Sequence, residues 1–332
     1  MSGLIHLARL PGMAIPVSRR LDFSEIPQID AGPLLSDNPD AALISELAAA
    51  CTDVGFFYVR NHGVPSEQIT EIRHQAERFF EQPMADKMKL RIDQKMRGYL
   101  PLDYASYKGE DREAKSRQEG FWAGNDRPAS DHYFLDGPNQ WSPDHPELRD
   151  AMLAYQNSME NLTTALERGF ARALGLAADG LAPYFARPMT MLKLNHYPPQ
   201  DNPENVSYIG VVPHTDAGAF TILWQDDGDG LEIQNRSGEW IGAPSIPGTF
   251  VINIGNIMQI WSGGRFSSTP HRVINRGGRD RYSIPLFVYP GHEAMIEPLI
   301  GAERNDDEPV MFGNYIRNIW RRTFPIAGVP EG

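Results

Sequence analysis

The sequence predicts an α+β fold that is mainly β, with helices flanking a core of short strands. Three observations predict it. From about residue 189, short apolar runs at 190–197, 209–213, 219–224, 230–234, 249–254, 257–261, 271–275 and 281–289 are separated by turns such as Asp226-Asp-Gly-Asp-Gly230 and Asn275-Arg-Gly-Gly278. That rhythm is the mark of an all-β sandwich or barrel. Before it, Leu148, Met152, Tyr155, Met159, Leu162, Leu166 and Phe170 recur every three or four positions, the stripe of a long helix packed on a sheet. Polar pairs two residues apart also mark three strand-like stretches: Asn195/Tyr197, His214/Asp216 just after the 209–213 run, and Arg281/Ser283. Side chains two apart on a strand share a face, and a core with nothing else to do would be apolar there.

The elements follow in order. Residues 23–35 read as a short strand and turn, and 40–53 as a helix with Leu43, Leu47 and Ala50 at helical spacing. Val54 to Val59 is β-branched and aromatic, hence a strand, and Asn61-His-Gly63 makes the turn after it. Ser66 is a suitable N-cap for a helix to Phe80 that Pro83 stops, and a shorter helix runs from Pro83 to Leu90. Residues 97–145 are loop-rich, with Gly98-Tyr-Leu, Tyr104, Tyr107 and Glu119-Gly-Phe-Trp122 standing out. Asp144 and Pro146 open the long helix, which Gly175 ends after Leu174. Residues 312–324 read as an amphipathic helix, with Tyr315, Ile316, Ile319 and Trp320 on one side. The chain divides into an extension 1–22, an N-terminal region 23–145, the supporting helix 146–188, the strand core 189–292, and a C-terminal helix and tail 293–332, all one compact unit.

Composition narrows the partners. The 332 residues are 41% hydrophobic, enough for a sizeable core. A formal net charge of −12, from 31 basic against 43 acidic residues, argues against nucleic acid or an anionic membrane as partner. A single cysteine, Cys51, rules out an intrachain disulfide and fits the reducing cytoplasm. No apolar run approaches the roughly 20 residues of a membrane span. The first twenty residues carry Arg9, Arg19 and Arg20 and no acid; a native extension or an early start before Met13 is favoured over a transit peptide. Asn161, Asn205 and Asn235 sit in glycosylation triplets read as chance. A monomer is expected.

The chemistry-bearing residues centre on Val212-Pro-His-Thr-Asp-Ala-Gly-Ala-Phe-Thr-Ile-Leu223. His214 and Asp216 there, with His271 of Ser268-Thr-Pro-His-Arg-Val273, offer two imidazoles and one carboxylate. That set occupies one face of an octahedral metal and leaves three positions open, as in non-haem Fe(II) oxygenases. A His-x-Asp triplet alone is weak evidence; a surface loop with a solvated Asp is the plain alternative. The other histidines compete poorly. His196 alternates out of phase with Asn195 and Tyr197, His62 sits in a turn without a paired carboxylate, and His292 has no partner at useful spacing. His6, His74, His132 and His145 lie in the extension, helix or loops. Arg281 can pair bidentately with a carboxylate, and Ser283 on the same face can donate a hydroxyl; a structural ion pair is the alternative for Arg281. Phe287 continues that inward face, and together with Phe121 and Tyr99 is a candidate substrate contact.

These motifs resemble the isopenicillin-N-synthase-like branch of the Fe(II)/2-oxoglutarate-dependent dioxygenases. The matching stretches are Val54-Gly-Phe-Phe-Tyr-Val-Arg-Asn-His-Gly-Val64, Asn195-His-Tyr-Pro-Pro199, His214-Thr-Asp-x-Gly-x-Phe-Thr-Ile-Leu223, Trp240-Ile, Pro247-Gly-Thr-Phe-Val-Ile-Asn-Ile-Gly255, Ser268-Thr-Pro-His-Arg-Val273 and Arg281-Tyr-Ser-Ile-Pro285. They cover about residues 23–325. The resemblance implies a double-stranded β-helix (jelly roll) core. It implies Fe(II) on His214, Asp216 and His271, and 2-oxoglutarate as cosubstrate, its distal carboxylate on Arg281 and Ser283 with Asn195 and Tyr197 bonding to it. It also implies a small organic substrate and O2, with release of succinate and CO2; hydroxylation is the default outcome, desaturation or ring closure the variants. Residues 97–145 would pass over the mouth of the site. Two departures stand out. Relatives commonly carry Asp where this chain has Trp122, which concerns substrate shape, and Asp where it has Asn256. An oxidase that uses O2 without 2-oxoglutarate remains an alternative, since that branch keeps the Arg-x-Ser pair too. A non-catalytic metal-binding sensor on the same fold is another. A zinc hydrolase lacks its His-Glu-x-x-His helix here.

Overall fold

The computed structural model describes residues 24–102, 106–108, 113–130, 133–199, 208–301 and 310–324. The extension 1–22, most of the 200–209 loop, and Tyr104, His6, His132 and Asn205 lie outside the described residues.

Two sheets face each other. The larger has eight strands in the order Gln28–Asp30, Phe56–Arg60, Phe250–Ile254, Phe220–Gln225, Arg281–Val288, Met191–Tyr197, Glu119–Gly124, Gly98–Leu100. The smaller has four: Trp240–Gly242, Leu231–Gln234, His271–Val273, Val211–His214. Apart from the parallel first pair of the large sheet, neighbours in both are antiparallel. This is the jelly roll.

Strand parity sorts the side chains into two cores. One face of the large sheet carries Phe57, Val59, Leu192, Leu194, Phe220, Ile222, Ile252 and Leu286, all buried against the helices. The chief of these is Pro146–Ala173, whose stripe from Leu148 to Phe170 is buried as its spacing predicts. Pro146 opens it, and Gly175 follows its end at φ +82. The other face meets the small sheet through Phe56, Tyr58, Tyr197, Val211, Leu231, Ile233, Val251 and Val273. Asn195/Tyr197 and Arg281/Ser283 lie on this inner face, and His214 ends a strand of the small sheet that it meets. Phe312–Thr323 closes one end, burying Phe312, Tyr315, Ile316 and Trp320.

Several expectations need correction. Residues 257–261 are not a strand but the helix Asn256–Trp261, buried all round; a run this short and largely apolar has no periodicity to separate the two. Within the loop-rich 97–145, Gly98–Leu100 and Glu119–Gly124 are strands on the edge of the large sheet. Pairing, not intrinsic propensity, makes them so: Glu119–Gly124 lies against Met191–Tyr197, and Gly98–Leu100 against Glu119–Gly124. Trp240–Gly242 is a further strand that turn spacing did not mark. Ser66 is the first helical residue and caps nothing; Pro65 holds the cap position.

The helix Ala41–Ala49, capped by Asp40 accepting from the Leu43 amide at 2.8 Å, widens into a π-turn at Ala50–Val54. That turn serves the site. Its end holds the loop before His271: Thr269 Oγ1 donates to Val54 O at 2.6 Å, and Ser267 N to Cys51 O at 2.9 Å. Gly55, at φ +74, is where the two segments touch. A Cβ there would lie 2.0 Å from Ser267 O, so only glycine fits.

Candidate metal and cosubstrate site

His214 ends one strand of the small sheet, and His271 begins the strand paired with it, directly opposite. Asp216 lies two residues on. Its loop is pinned from behind: Asn256 N donates to Asp216 O at 2.8 Å, and Ile257 N to Gly218 O at 3.0 Å. Gly255 permits this, since a Cβ there would come 2.3 Å from Gly218 O. Asn256 itself, one of the two departures, accepts from Ser268 Oγ at 2.8 Å and so ties this loop to the one before His271.

The three side chains converge. One ligand atom from each lies within 4.8 Å of the others, and Asp216 Oδ1 is 3.6 Å from His214 Nε2 and 3.8 Å from His271 Nε2. Every other polar atom of the trio is engaged. His214 Nδ1 bonds Val212 O at 2.8 Å and His271 Nδ1 bonds Thr269 O at 3.2 Å, which fixes the proton on Nδ1 and turns the Nε2 lone pairs inward. Asp216 Oδ2 accepts from Thr221 Oγ1 at 2.5 Å and Asn253 Nδ2 at 2.7 Å, leaving Oδ1 open. Burial, then the neighbouring His271, pushes His214 down to about 4, so it offers a lone pair at neutral pH. Burial would raise Asp216, but His271, His214 and the two hydrogen bonds outweigh it and hold it ionised.

The anion site adjoins on the large sheet. Arg281 stands opposite Tyr197, and Ser283 opposite Asn195. Ser283 Oγ is 3.4 Å from both Asn195 Nδ2 and Tyr197 OH. Arg281 is only 1% exposed. Its Nη2 donates to Gln225 Oε1 at 3.0 Å and its Nε to Gly228 O at 3.4 Å, while Nη1 is buried with no partner. The nearby Asp226 is occupied by the amides of Tyr282 and Gly228. Among the described residues Arg281 therefore makes no ion pair. A buried guanidinium with a free donor, beside a hydroxyl and an amide, fits a carboxylate.

Of the candidate substrate contacts, Phe287 lies on the inner face, opposite Thr221 on the neighbouring strand. Tyr99 and Phe121 do not: both are fully buried on the opposite face, Tyr99 donating to Glu119 and Phe121 packing on Phe79. Trp122, one residue on, is the inward one. His196 faces away, as its phase predicts, and bonds Glu119 and Asp280. His62 is structural, accepting from Val64 N at 3.2 Å and packing on Phe250. Sequence reasoning did not single out Thr221, Asn253, Gln225 or Lys193. Lys193 was findable, being the next period-two step before Asn195 and Tyr197; the others show their role only once the strands are paired.

Residues 26–144 match the family described as the non-haem dioxygenase in morphine synthesis N-terminal region, and residues 188–290 the 2OG-Fe(II) oxygenase superfamily. A homoarginine-6-hydroxylase of Glycine max is 36% identical, covering 84% of this chain and 89% of its own. The 2-oxoglutarate-dependent dioxygenase citB of Monascus ruber is 34% identical, covering 89% and 93%. Among solved structures, a full-length Neurospora crassa protein in complex with alpha-KG superposes with a TM-score of 0.77 at 25% identity, covering 90% of this chain and 95% of its own. JOX2 in complex with 2OG, Fe and JA gives 0.75 at 26% identity, covering 96% and 91%. The chain belongs to the Fe(II)- and 2-oxoglutarate-dependent oxygenase superfamily, oxidoreductases that oxidise a small organic substrate with O2 while 2-oxoglutarate goes to succinate and CO2.

Proposed function

We propose that His214, Asp216 and His271 hold the Fe(II), and that Arg281, Ser283, Asn195 and Tyr197 bind 2-oxoglutarate, with Phe287 on the substrate wall. The observation that carries this is the convergence of Nε2, Nε2 and Oδ1 while every other polar atom of the three side chains is tied down. In the default outcome R–H, O2 and 2-oxoglutarate become R–OH, succinate and CO2. Bound Fe(II) supplies the activation of O2. The protein's residues do the rest. Val212 O and Thr269 O fix the imidazole tautomers, Thr221 and Asn253 aim one carboxylate oxygen, and Arg281 orients the cosubstrate by its distal end. The inner walls keep water from the reacting centre. We further place the chain in the isopenicillin-N-synthase-like branch, working as a cytoplasmic monomer without nucleic-acid or membrane partners. The one cysteine and the net charge of −12 support this, as does the covering of both faces of the large sheet within one chain.

An anaerobic titration of the Fe(II)-loaded protein with 2-oxoglutarate tests the reading. A keto acid chelated to ferrous iron gives a weak charge-transfer band in the visible, and it should appear and saturate. Iron binding without a band would sink the cosubstrate assignment. Arg281→Ala should weaken 2-oxoglutarate by roughly ten- to hundredfold, as expected for losing hydrogen bonds to a charged group, with iron content retained. An unchanged titration would give Arg281 another role.

A further inference from the structure

One charged side chain on the inner face serves neither the iron ligands nor the cosubstrate set. Lys193 continues the row of Asn195 and Tyr197 and pairs across the strands with Trp122. Its Nζ sits 3.5 Å from the centroid of the Trp122 ring and 4.3 Å from that of Phe287. Among the described residues no carboxylate, carbonyl or hydroxyl accepts a hydrogen bond from it.

Lys87, in the same fold, shows what a satisfied lysine looks like. It donates to Glu119 at 2.8 Å and to Phe80 O at 2.9 Å. Lys193 has neither kind of partner. Lys193 is half-buried, and its two aromatic contacts offset only part of the hydration its ammonium has lost. Burial pushes the Lys193 amine down to about 7, with Asp216 pulling the other way. Asp216, however, has its free oxygen directed at the metal position between His214 and His271. The cosubstrate does not supply the missing anion either. Arg281 stands opposite Tyr197, four residues along the strand from Lys193, or roughly 13 Å at strand rise, so the two cations address different groups. The surroundings of Lys193 are apolar: Trp122 is backed by Phe324, with ring centroids 5.1 Å apart, and by Trp320 at 6.4 Å.

We propose that Lys193 is the recognition residue for the primary substrate, and that this substrate is a small carboxylic acid. Its carboxylate takes the Lys193 amine, and its apolar body lies along Trp122 and Phe287. The inference rests on the 2-oxoglutarate reading of the same site.

The test is calorimetry on the anaerobic Fe(II)- and 2-oxoglutarate-loaded protein. The probes are phenylacetate, 3-phenylpropanoate and hexanoate, each beside its primary amide. At least one acid should bind tenfold or more tighter than its amide. Lys193→Met, close in volume, should weaken that acid by ten- to hundredfold and erase the preference, while Lys193→Arg keeps most of it. The visible titration with 2-oxoglutarate, run on each protein, separates the two ideas. No band in wild type overturns the cosubstrate reading. With the band intact, three outcomes overturn the role of Lys193: acids and amides binding alike, no acid binding at all, or the preference surviving in Lys193→Met.

Discussion

Asp216→Ala is expected to abolish Fe(II) retention and to lower succinate release by a thousandfold or more, while the apo protein stays folded. The reason is geometric. Asp216 contributes the only carboxylate of the cluster and has a single oxygen to give, because Oδ2 is held by Thr221 and Asn253. Removing it leaves two neutral imidazoles, a pair with no charge to offset the dehydration of a divalent ion. The fold should survive without metal, at a moderate loss of stability. Alanine leaves the buried donors of Thr221 and Asn253 without their acceptor, so an apparent Tm lower by about 5 °C is expected. The measurements are iron content after anaerobic loading and desalting, succinate by coupled assay, and a thermal melt of the apo form. Wild-type iron content in a folded variant would remove Asp216 from the ligand set. Thr221→Val isolates the aiming effect. It keeps all three ligands, frees Oδ2 on one side, and should lower iron affinity by about tenfold, near the value of one hydrogen bond to a charged group.

The candidate metal and cosubstrate residues stand out in the sequence because strand geometry writes such pairs at period two. Asn195/Tyr197 and Arg281/Ser283 need only two adjacent antiparallel strands to become one cluster, and they are cross-strand neighbours. What the sequence hid was parity where glycine interrupts the pattern. In Glu119-Gly-Phe-Trp-Ala-Gly124 either alternate set can face inward, and a one-residue difference exchanges the faces. Pairing with Met191–Tyr197 settles it: Trp122 meets Lys193, while Phe121 and Tyr99 go to the helix side. The hydrogen bonds that aim Asp216 were hidden for a different reason. Thr221 and Asn253 lie directly opposite each other on adjacent strands, a relation that local spacing does not carry. The motif alone also left open an oxidase without 2-oxoglutarate, because the Arg-x-Ser pair serves both. Relatives that use the cosubstrate, matching along most of the chain, decide that question.

Glu119→Ala should cost about 3–5 kcal/mol, the range for breaking a buried ion pair from one side. Glu119 sits on the helix-covered face at the edge of the large sheet, 3% exposed. It accepts from Lys87 Nζ at 2.8 Å and Tyr99 OH at 2.5 Å, and pairs with His196 Nδ1 at 2.8 Å. Alanine leaves Lys87 with one carbonyl and Tyr99 with no carboxylate, so both donors are buried short of partners. An apparent Tm lower by roughly 5–10 °C is expected; a change within 2 °C would mean the network contributes nothing. The same cluster sets a pH dependence. Burial would raise Glu119, but His196, Lys87 and Tyr99 together lower it from 4.5, so its contribution is present above that value and lost as pH falls through the folded pKa. His196 moves the other way. Burial alone would lower it, but Glu119 and Asp280 raise it above 6.5, so its contribution is full below 6.5 and lost as pH rises through the folded pKa. The two overlap between 4.5 and 6.5. His196→Asn should therefore lower apparent Tm more at pH 6 than at pH 8.5 in paired calorimetric scans. Equal losses at both pH values would mean that His196 acts here by packing on Tyr282 and Phe80 alone, with no charge on its ring.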